Sequence, residues 1–507
     1  MTIKHSQAAP ENALHGVQEL ELDNRFARLG DAYSSAVAPT PLSNPRVLHA
    51  NADVAALLDL DPAELHTETF TQIFAGNQPL SGGEPRAMLY AGHQFGQWVP
   101  QLGDGRAMLL GQVRNHRGES WDLQLKGAGQ TPYSRFADGR AVLRSSVREY
   151  LAGEALHHQG IPTTRALCLI AADDPVRRET FETAAVICRV APSHVRFGNF
   201  EVFYSRGQHE LLAPLADHVI ESHFQNLVGN PLRHRHWLEV VIDRTASLMA
   251  DWQSVGFCHG VMNTDNMSVL GITLDFGPYG FIDGFDAHHI CNHSDEGGRY
   301  AYDQQPRIGH WNCSRLLQAC LPLLDGKPEA AVEIAQTILD RYPDIYSAEM
   351  TQRWRSKFGL LDTTDNDPDL MNRFLSLLHS AHADFTLSFR ALAEVTLLND
   401  IAPPALSAQF LDQEKLRSWL NDYQARLRVE QSDDTERMAR MNAVNPIHVL
   451  RNHLAQRAIE DAERGSSAQI EHLLSALRAP YTADPRYADC AAQPPPEVRH
   501  ISVSCSS

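Results

Sequence analysis

The chain has 507 residues, 43% of them hydrophobic, and a formal net charge of −18. That length suffices for two or more packed lobes. The acidic excess excludes a general nucleic-acid or membrane-surface binder, because a phosphate-binding face needs basic excess, though a small local basic pocket remains compatible with it. No apolar run approaches the ~20 residues of a membrane helix, and the polar first residues hold no apolar signal core, so a cytoplasmic protein without membrane or nucleic-acid partners is expected.

Residues 1 to about 25 read as a loose lead-in, and short helical pieces such as Ala52 to Leu60 follow between prolines. The texture changes at Tyr90. A stretch rich in glycine and aromatics leads to Gly103-Asp-Gly-Arg106, a tight turn. Ala107 to Val113 reads as a strand, Arg117-Gly118 as a hairpin turn, and Trp121 to Lys126 as a second, alternating strand. Trp121, Leu123 and Leu125 share one face of it; Asp122, Gln124 and Lys126 share the other. Leu143, Val147, Tyr150, Leu151 and Ala155 recur at helical spacing, which predicts an amphipathic helix from Leu143 to His158, ended by Gly160-Ile-Pro162. Ala166 to Ala171 and Thr183 to Val190 read as strands. From about Pro214 the chain turns helical, and a stripe from Leu238 to Trp252 delivers the loop at His259. Residues 284 to 306 read as irregular, and helices dominate from Cys313 to about Ala479. The proline-rich segment from Tyr481 onward is expected to be extended.

Two short runs carry chemistry. His259-Gly-Val-Met-Asn-Thr-Asp-Asn266 is similar to the catalytic loop of a protein kinase, and Leu274-Asp-Phe-Gly277 to the Asp-Phe-Gly that holds magnesium on ATP. Counting back five from Asn266 gives Val261, where a kinase has its catalytic aspartate. A valine accepts no proton. Asn266 and Asp275 offer two hard oxygens for Mg²⁺, with Asp283 and Asp286 as nearby decoys, and Asp265 is the candidate proton acceptor. Upstream, the glycines of Gly103-Asp-Gly-Arg106 let backbone approach phosphate, or simply make a hairpin. Lys126 at its strand end fits a phosphate-contacting lysine steadied by Glu149, with Glu154 as a rival partner. Asp138-Gly139 reads as a turn. Arg189 and Arg196 suit polyphosphate, or ordinary ion pairing. The strand-helix-strand order is that of a kinase N-terminal lobe.

The eight cysteines form no C-x-x-C pairs, which speaks against a zinc site or a secreted disulfide framework. His288-His-Ile-Cys-Asn-His293 matches no standard zinc spacing. Asp365-Asn-Asp-Pro368 reads as a helix start rather than a calcium loop.

Collinear stretches across most of the chain carry a family resemblance. They are Tyr90-Ala-Gly-His-Gln-Phe-Gly96, Gly103 to Arg106, Leu123 to Arg135, Asp138 to Glu149, Gly160 to Arg165, His259 to Met267, Asn445-Pro446 and Leu450-Arg-Asn452. In these the chain resembles the selenoprotein O family. The resemblance implies an α+β, protein-kinase-like bilobal fold that transfers AMP from ATP to protein hydroxyls, with the nucleotide flipped relative to a kinase. It implies nucleotide contacts from Gly103, Gly105, Arg106, Lys126, Asp138, Gly139, Arg189 and Arg196. It makes Asp265 the proton acceptor and Asn266 and Asp275 the ligands of Mg²⁺ or Mn²⁺, so that Val261 is no longer a defect. Many eukaryotic members of that family carry selenocysteine near the C-terminus followed by two serines, where this chain has Cys505-Ser-Ser507. The resemblance implies a regulatory disulfide to a cysteine near the active site, best matched by Cys291.

The resulting expectation is an N-terminal extension (1–85), a kinase-like N-lobe (86–200), a helical C-lobe (201–480) and an extended tail (481–507). The protein is expected to act as a monomeric, metal-dependent adenylyltransferase on Ser, Thr or Tyr of protein substrates, with UMP transfer from UTP as a further possibility. Two rivals are a kinase using the γ-phosphate and a non-catalytic ATP-binding pseudokinase.

Overall fold

The structure is a computed structural model that describes residues 14–498 and 501. It is a mixed α/β chain with an antiparallel sheet and many helices, and it divides into two compact units.

The first unit takes the chain through Leu89, then Gly103–Ser146 and Arg165–His194. Its core is an eight-stranded antiparallel sheet. The strands run in the order Ser34–Ala36, Arg86–Met88, Ala107–Arg114, Ser120–Lys126, Phe181–Ala191, Arg165–Arg177 and Arg46–Ala50, with Ala141–Val142 also on Phe181–Ala191. The predicted hairpin pairs Ala107 with Lys126 and Arg114 with Ser120. Its turn is built by Asn115, whose side-chain oxygen accepts from the amides of Arg117 (3.1 Å) and Glu119 (2.9 Å). The helix Glu68–Phe74 is capped by the Thr67 hydroxyl and buries Phe70, Ile73 and Phe74 against Leu123, Leu125, Ile170 and Val186. Each such side chain contributes about 1.5–3 kcal/mol on burial.

Two differences from the sequence reading appear here. The stretch read as a loose lead-in joins this core through Val17 and Leu20; isolated apolar residues at irregular spacing give no periodic signal. The polar face of Ser120–Lys126 is as buried as the apolar one, because its residues satisfy one another. Gln112 donates to Asp122 (2.9 Å), Gln124 to Asp104 (3.3 Å) and Arg189 to Gln124 (3.1 Å).

The second unit comprises Tyr90–Leu102, Val147–Thr164 and the chain from Val195 onward. It is largely helical. The 23-residue helix Arg233–Val255 buries Leu238, Val241, Thr245, Leu248, Met249 and Trp252. A cluster of aromatic residues including Phe358, Phe374, Phe385, Phe389 and Trp419 gathers the helices from Arg341–Lys357 to Gln413–Val429. The helix Asp367–Ala381 starts where Asp365-Asn-Asp-Pro368 predicts. The segment expected to be extended forms short helical turns at Pro485–Tyr487, Ala488–Ala491 and Pro496–Val498, with Asp484 capping the first through the Arg486 amide (2.9 Å). No helix among the described residues is long and apolar enough to cross a membrane.

Candidate active site

The helix Arg233–Val255 ends at Gly256, whose left-handed φ of 71° turns the chain; a Cβ there would lie 2.9 Å from the Phe385 ring. The short strands Phe257–Cys258 and Gly280–Phe281 then pair antiparallel, closing residues 259–279 into one loop. His259 ties that loop together. Its Nε2 donates to the Leu274 carbonyl (2.9 Å) and its Nδ1 accepts from the Val261 amide (3.3 Å). Burial holds this imidazole below its ordinary pKa, in the neutral form those two bonds require.

Asn266 donates its amide nitrogen to the Val261 carbonyl (2.9 Å). The residue standing where a kinase has an aspartate thus contributes its backbone. The bond commits the nitrogen end of the Asn266 amide, so that its oxygen is the end a cation could take. Asp275, at φ 56°, is bonded through Oδ2 to Nη1 of Arg196, and the same nitrogen donates to the Asp265 carbonyl (2.9 Å). Arg196 is 1% exposed, sits at the start of the helix Phe197–Ser205, and lies 4.8 Å over the Tyr90 ring. The buried guanidinium of Arg196 therefore joins two other predicted residues, Asp265 and Asp275.

The Asp265 carboxylate is buried. Its Oδ2 accepts from Gln94 Nε2 (3.2 Å), and its Oδ1 is buried with no hydrogen-bond partner. Burial pushes its carboxyl up to about 7, while Gln94 and Arg196 pull it down and the Asp275 charge pushes it up. A carboxylate with one oxygen held and the other unpartnered is equipped to accept a proton. One amide oxygen and one carboxylate one loop apart, at Asn266 and Asp275, are the hard donors that Mg²⁺ or Mn²⁺ takes, with phosphate and water completing its shell. The donor set fits such a cation.

The first unit holds the remaining predicted nucleotide-contacting residues. Gly103 has φ 118°, and a Cβ there would meet the Tyr133 ring at 2.5 Å. The turn is fastened by Thr131, whose hydroxyl donates to the Asp104 carbonyl (2.7 Å), and by Ser134, which donates to the Gly105 carbonyl. Arg106 is exposed beside it. Lys126 ends its strand, buried, in register with Ala107 and Ile187. Arg189 is buried against Gln124. Asp138 accepts from Arg178 Nη1 (2.7 Å) and from the Arg140 amide (2.9 Å). The Arg178 bond, foremost, holds its carboxyl below the usual carboxylate value. Gly139 packs so tightly that a Cβ would lie 2.2 Å from the Gly129 carbonyl.

Glu149 is buried on the predicted helix Leu143–His158. Its neighbour Arg148 donates to the Tyr279 carbonyl (2.7 Å), and the Tyr279 hydroxyl donates back to the Arg148 carbonyl (2.7 Å). The rival Glu154 lies 3.5 Å from His158 on the same helix. The decoys are otherwise engaged: Asp283 is ion-paired with Arg451, and Asp286 lies 3.4 Å from His379. Cys291 is buried, its thiol donating to the carbonyls of Pro278 (2.9 Å) and Cys258 (3.4 Å), and burial raises its pKa well above the ordinary thiol value. Cys505 lies outside the described residues. Sequence reasoning assigned no role to Gln94, Arg148 or Arg178. Gln94 and Arg148 do lie inside the stretches that carry the family resemblance, which was the available signal for those two.

A family model described as protein adenylyltransferase SelO matches residues 16–478. The protein nucleotidyltransferase YdiU of Methylococcus capsulatus is 52% identical over 493 residues, covering 97% of each chain. The protein of the same name from Ectopseudomonas mendocina is 48% identical over 495 residues, covering 97% of this chain and 99% of its own. With a match across nearly its whole length and relatives at about half identity, the chain belongs to the SelO family of protein adenylyltransferases.

Proposed function

We propose that this protein transfers AMP from ATP to Ser, Thr or Tyr hydroxyls of protein substrates, releasing pyrophosphate. The observation that carries the reading is Asp265, a buried carboxylate with an unpartnered Oδ1, one residue before Asn266 and bridged through Arg196 to Asp275. In the proposed step the substrate oxygen forms a bond to the α-phosphorus and the hydroxyl proton passes to Asp265. The bond from the α-phosphorus to the bridging oxygen breaks, and pyrophosphate leaves with its electron pair. Asn266 and Asp275 would hold Mg²⁺ or Mn²⁺, which when bound offsets phosphate charge.

The finer assignments belong to the same proposal and rest on the family resemblance. Gly103, Gly105, Arg106, Lys126, Asp138, Gly139, Arg189 and Arg196 contact the nucleotide, and Glu149 steadies Lys126. The frame is a kinase-like bilobal fold with the domain boundaries given above. The protein works in the cytoplasm as a monomer and also accepts UTP. Cys291 and Cys505 form a regulatory disulfide, so that Cys505→Ser makes activity insensitive to reductant; an unchanged reductant response refutes the pairing.

The deciding experiment supplies ATP labelled at either the α or the γ phosphate and follows label into protein. Label arriving from the α position alone is expected. Label arriving only from the γ position makes the chain a kinase and the proposal wrong.

A further inference from the structure

The hairpin formed by Gly92–Gln94 and Gln97–Val99 grips the catalytic loop residue by residue. The His93 amide donates to Thr264 Oγ1 (2.7 Å), Gln94 Nε2 to Asp265 Oδ2 (3.2 Å), and the Phe95 amide to Asn263 Oδ1 (3.1 Å). Three consecutive residues thus bond three consecutive loop residues. The Phe95 amide also meets the Tyr300 hydroxyl (2.9 Å), which itself donates to Asn263 (2.7 Å). His93 is anchored from behind by Glu201 (2.7 Å). Gly92 closes the contact, since a Cβ there would stand 2.8 Å from Asp265 Oδ1 and 2.9 Å from Thr264 Oγ1.

We propose that Gln94 is the positioning residue of the proton acceptor: its amide holds Oδ2 of Asp265 and so sets the orientation of the carboxylate that takes the hydroxyl proton. The inference rests on Asp265 being the base. An aspartate side chain has two soft torsions and two equivalent oxygens. A donor on one oxygen selects a rotamer and with it the direction of the carboxylate, a contribution made by geometry and not by contact with the reactants. Gly92 has the complementary role: without a Cβ it lets the hairpin close on Oδ1, which is buried, and hold the carboxylate from its other side. Gln94 has no covalent or charge role in the reaction, so its removal lowers the rate of transfer and spares nucleotide binding.

Gln94→Leu keeps the volume and removes the donor. Gln94→Glu keeps the shape and sets a carboxylate against Oδ2. Both are compared with the wild type and with Asp265→Asn in transfer of α-labelled AMP to casein, with thermal melting of each variant as a check on folding. A loss of about 10- to 100-fold in kcat is expected for Gln94→Leu and a larger one for Gln94→Glu, with KM for ATP within about twofold of wild type and melting unchanged. Gly92→Ala, an independent perturbation from the other oxygen, is expected to lower kcat likewise. Overturning results are a Gln94→Leu kcat equal to wild type, or a loss carried by KM for ATP alone. Transfer retained in Asp265→Asn removes the base assignment beneath the proposal. Transfer lost in Asp265→Asn but unchanged in both Gln94 variants removes only the role given to Gln94.

Discussion

Lys357 ends the helix Arg341–Lys357 inside the aromatic cluster of the second unit. The residue is 3% exposed. Nζ lies 4.3 Å from the Phe389 ring centroid and donates to Asn445 Oδ1 (2.7 Å), while Asn445 Nδ2 returns a bond to the Lys357 carbonyl (3.0 Å). Burial lowers its pKa from 10.5 to about 7. Between those values the unfolded chain holds a proton that the folded chain does not, so stability rises with pH across the window from 7 to 10.5. Below pH 7 both states are protonated and the folded state carries the whole penalty; above 10.5 both are neutral and it vanishes. The difference of 3.5 units, at 1.36 kcal/mol each, sets an upper limit on the order of 5 kcal/mol. Lys357→Met keeps the packed stem and removes the charge, but it leaves Asn445 Oδ1 without its donor, at about 1–3 kcal/mol. The variant is therefore expected to be more stable than wild type by about 2–4 kcal/mol at pH 6 and less stable by about 1–3 kcal/mol near pH 10.5. Urea unfolding of both proteins from pH 6 to 10.5, followed by tryptophan fluorescence, reads the difference directly. A difference that stays constant across that range refutes the reasoning.

Other substitutions probe other parts of the chain. Gly139→Ala forces a Cβ to 2.2 Å from the Gly129 carbonyl at a φ of +72°, so the 129–139 loop must open; a loss of several kcal/mol in urea unfolding is expected, on the order of a severe backbone clash. Arg451→Met leaves Asp283 and Asp384, both paired to this buried guanidinium, uncompensated; a drop of about 3–5 kcal/mol in unfolding free energy is expected, and a change under 1 kcal/mol would count against the pairing. Asp275→Ala is expected to abolish AMP transfer while leaving the chain folded by circular dichroism, and retained transfer at wild-type metal concentration would remove Asp275 from the ligand set.

Much of the fold could be read from local pattern. The hairpin of Ala107–Arg114 and Ser120–Lys126, the helix Leu143–His158 and the helix start at Asp367 each carry a periodicity or a cap within a few residues. What escaped was set by partners distant in sequence. Val17 and Leu20 join a core whose other members begin far downstream. The polar side of Ser120–Lys126 is buried because Gln112, Asp104 and Arg189 meet it, and no alternation pattern reports that. Within the candidate site, Asp265, Asn266 and Asp275 stood out because a familiar spacing lacked its aspartate at Val261. Arg178 beside Asp138 and Gln94 beside Asp265 did not, since a hydrogen bond across 40 or 171 residues leaves no local trace.

The reach of the 92–99 hairpin bears on how the enzyme is born. Its bonds to residues 263–265 span 168 to 171 positions. A ribosome emits the hairpin long before the loop it will clasp, and that loop in turn precedes the helices that enclose it. Until residues 263–265 have been made, the hairpin has no loop to clasp. Under the proposed role of Gln94, an oriented Asp265 is a product of long-range closure, reached only when both segments are present in one chain.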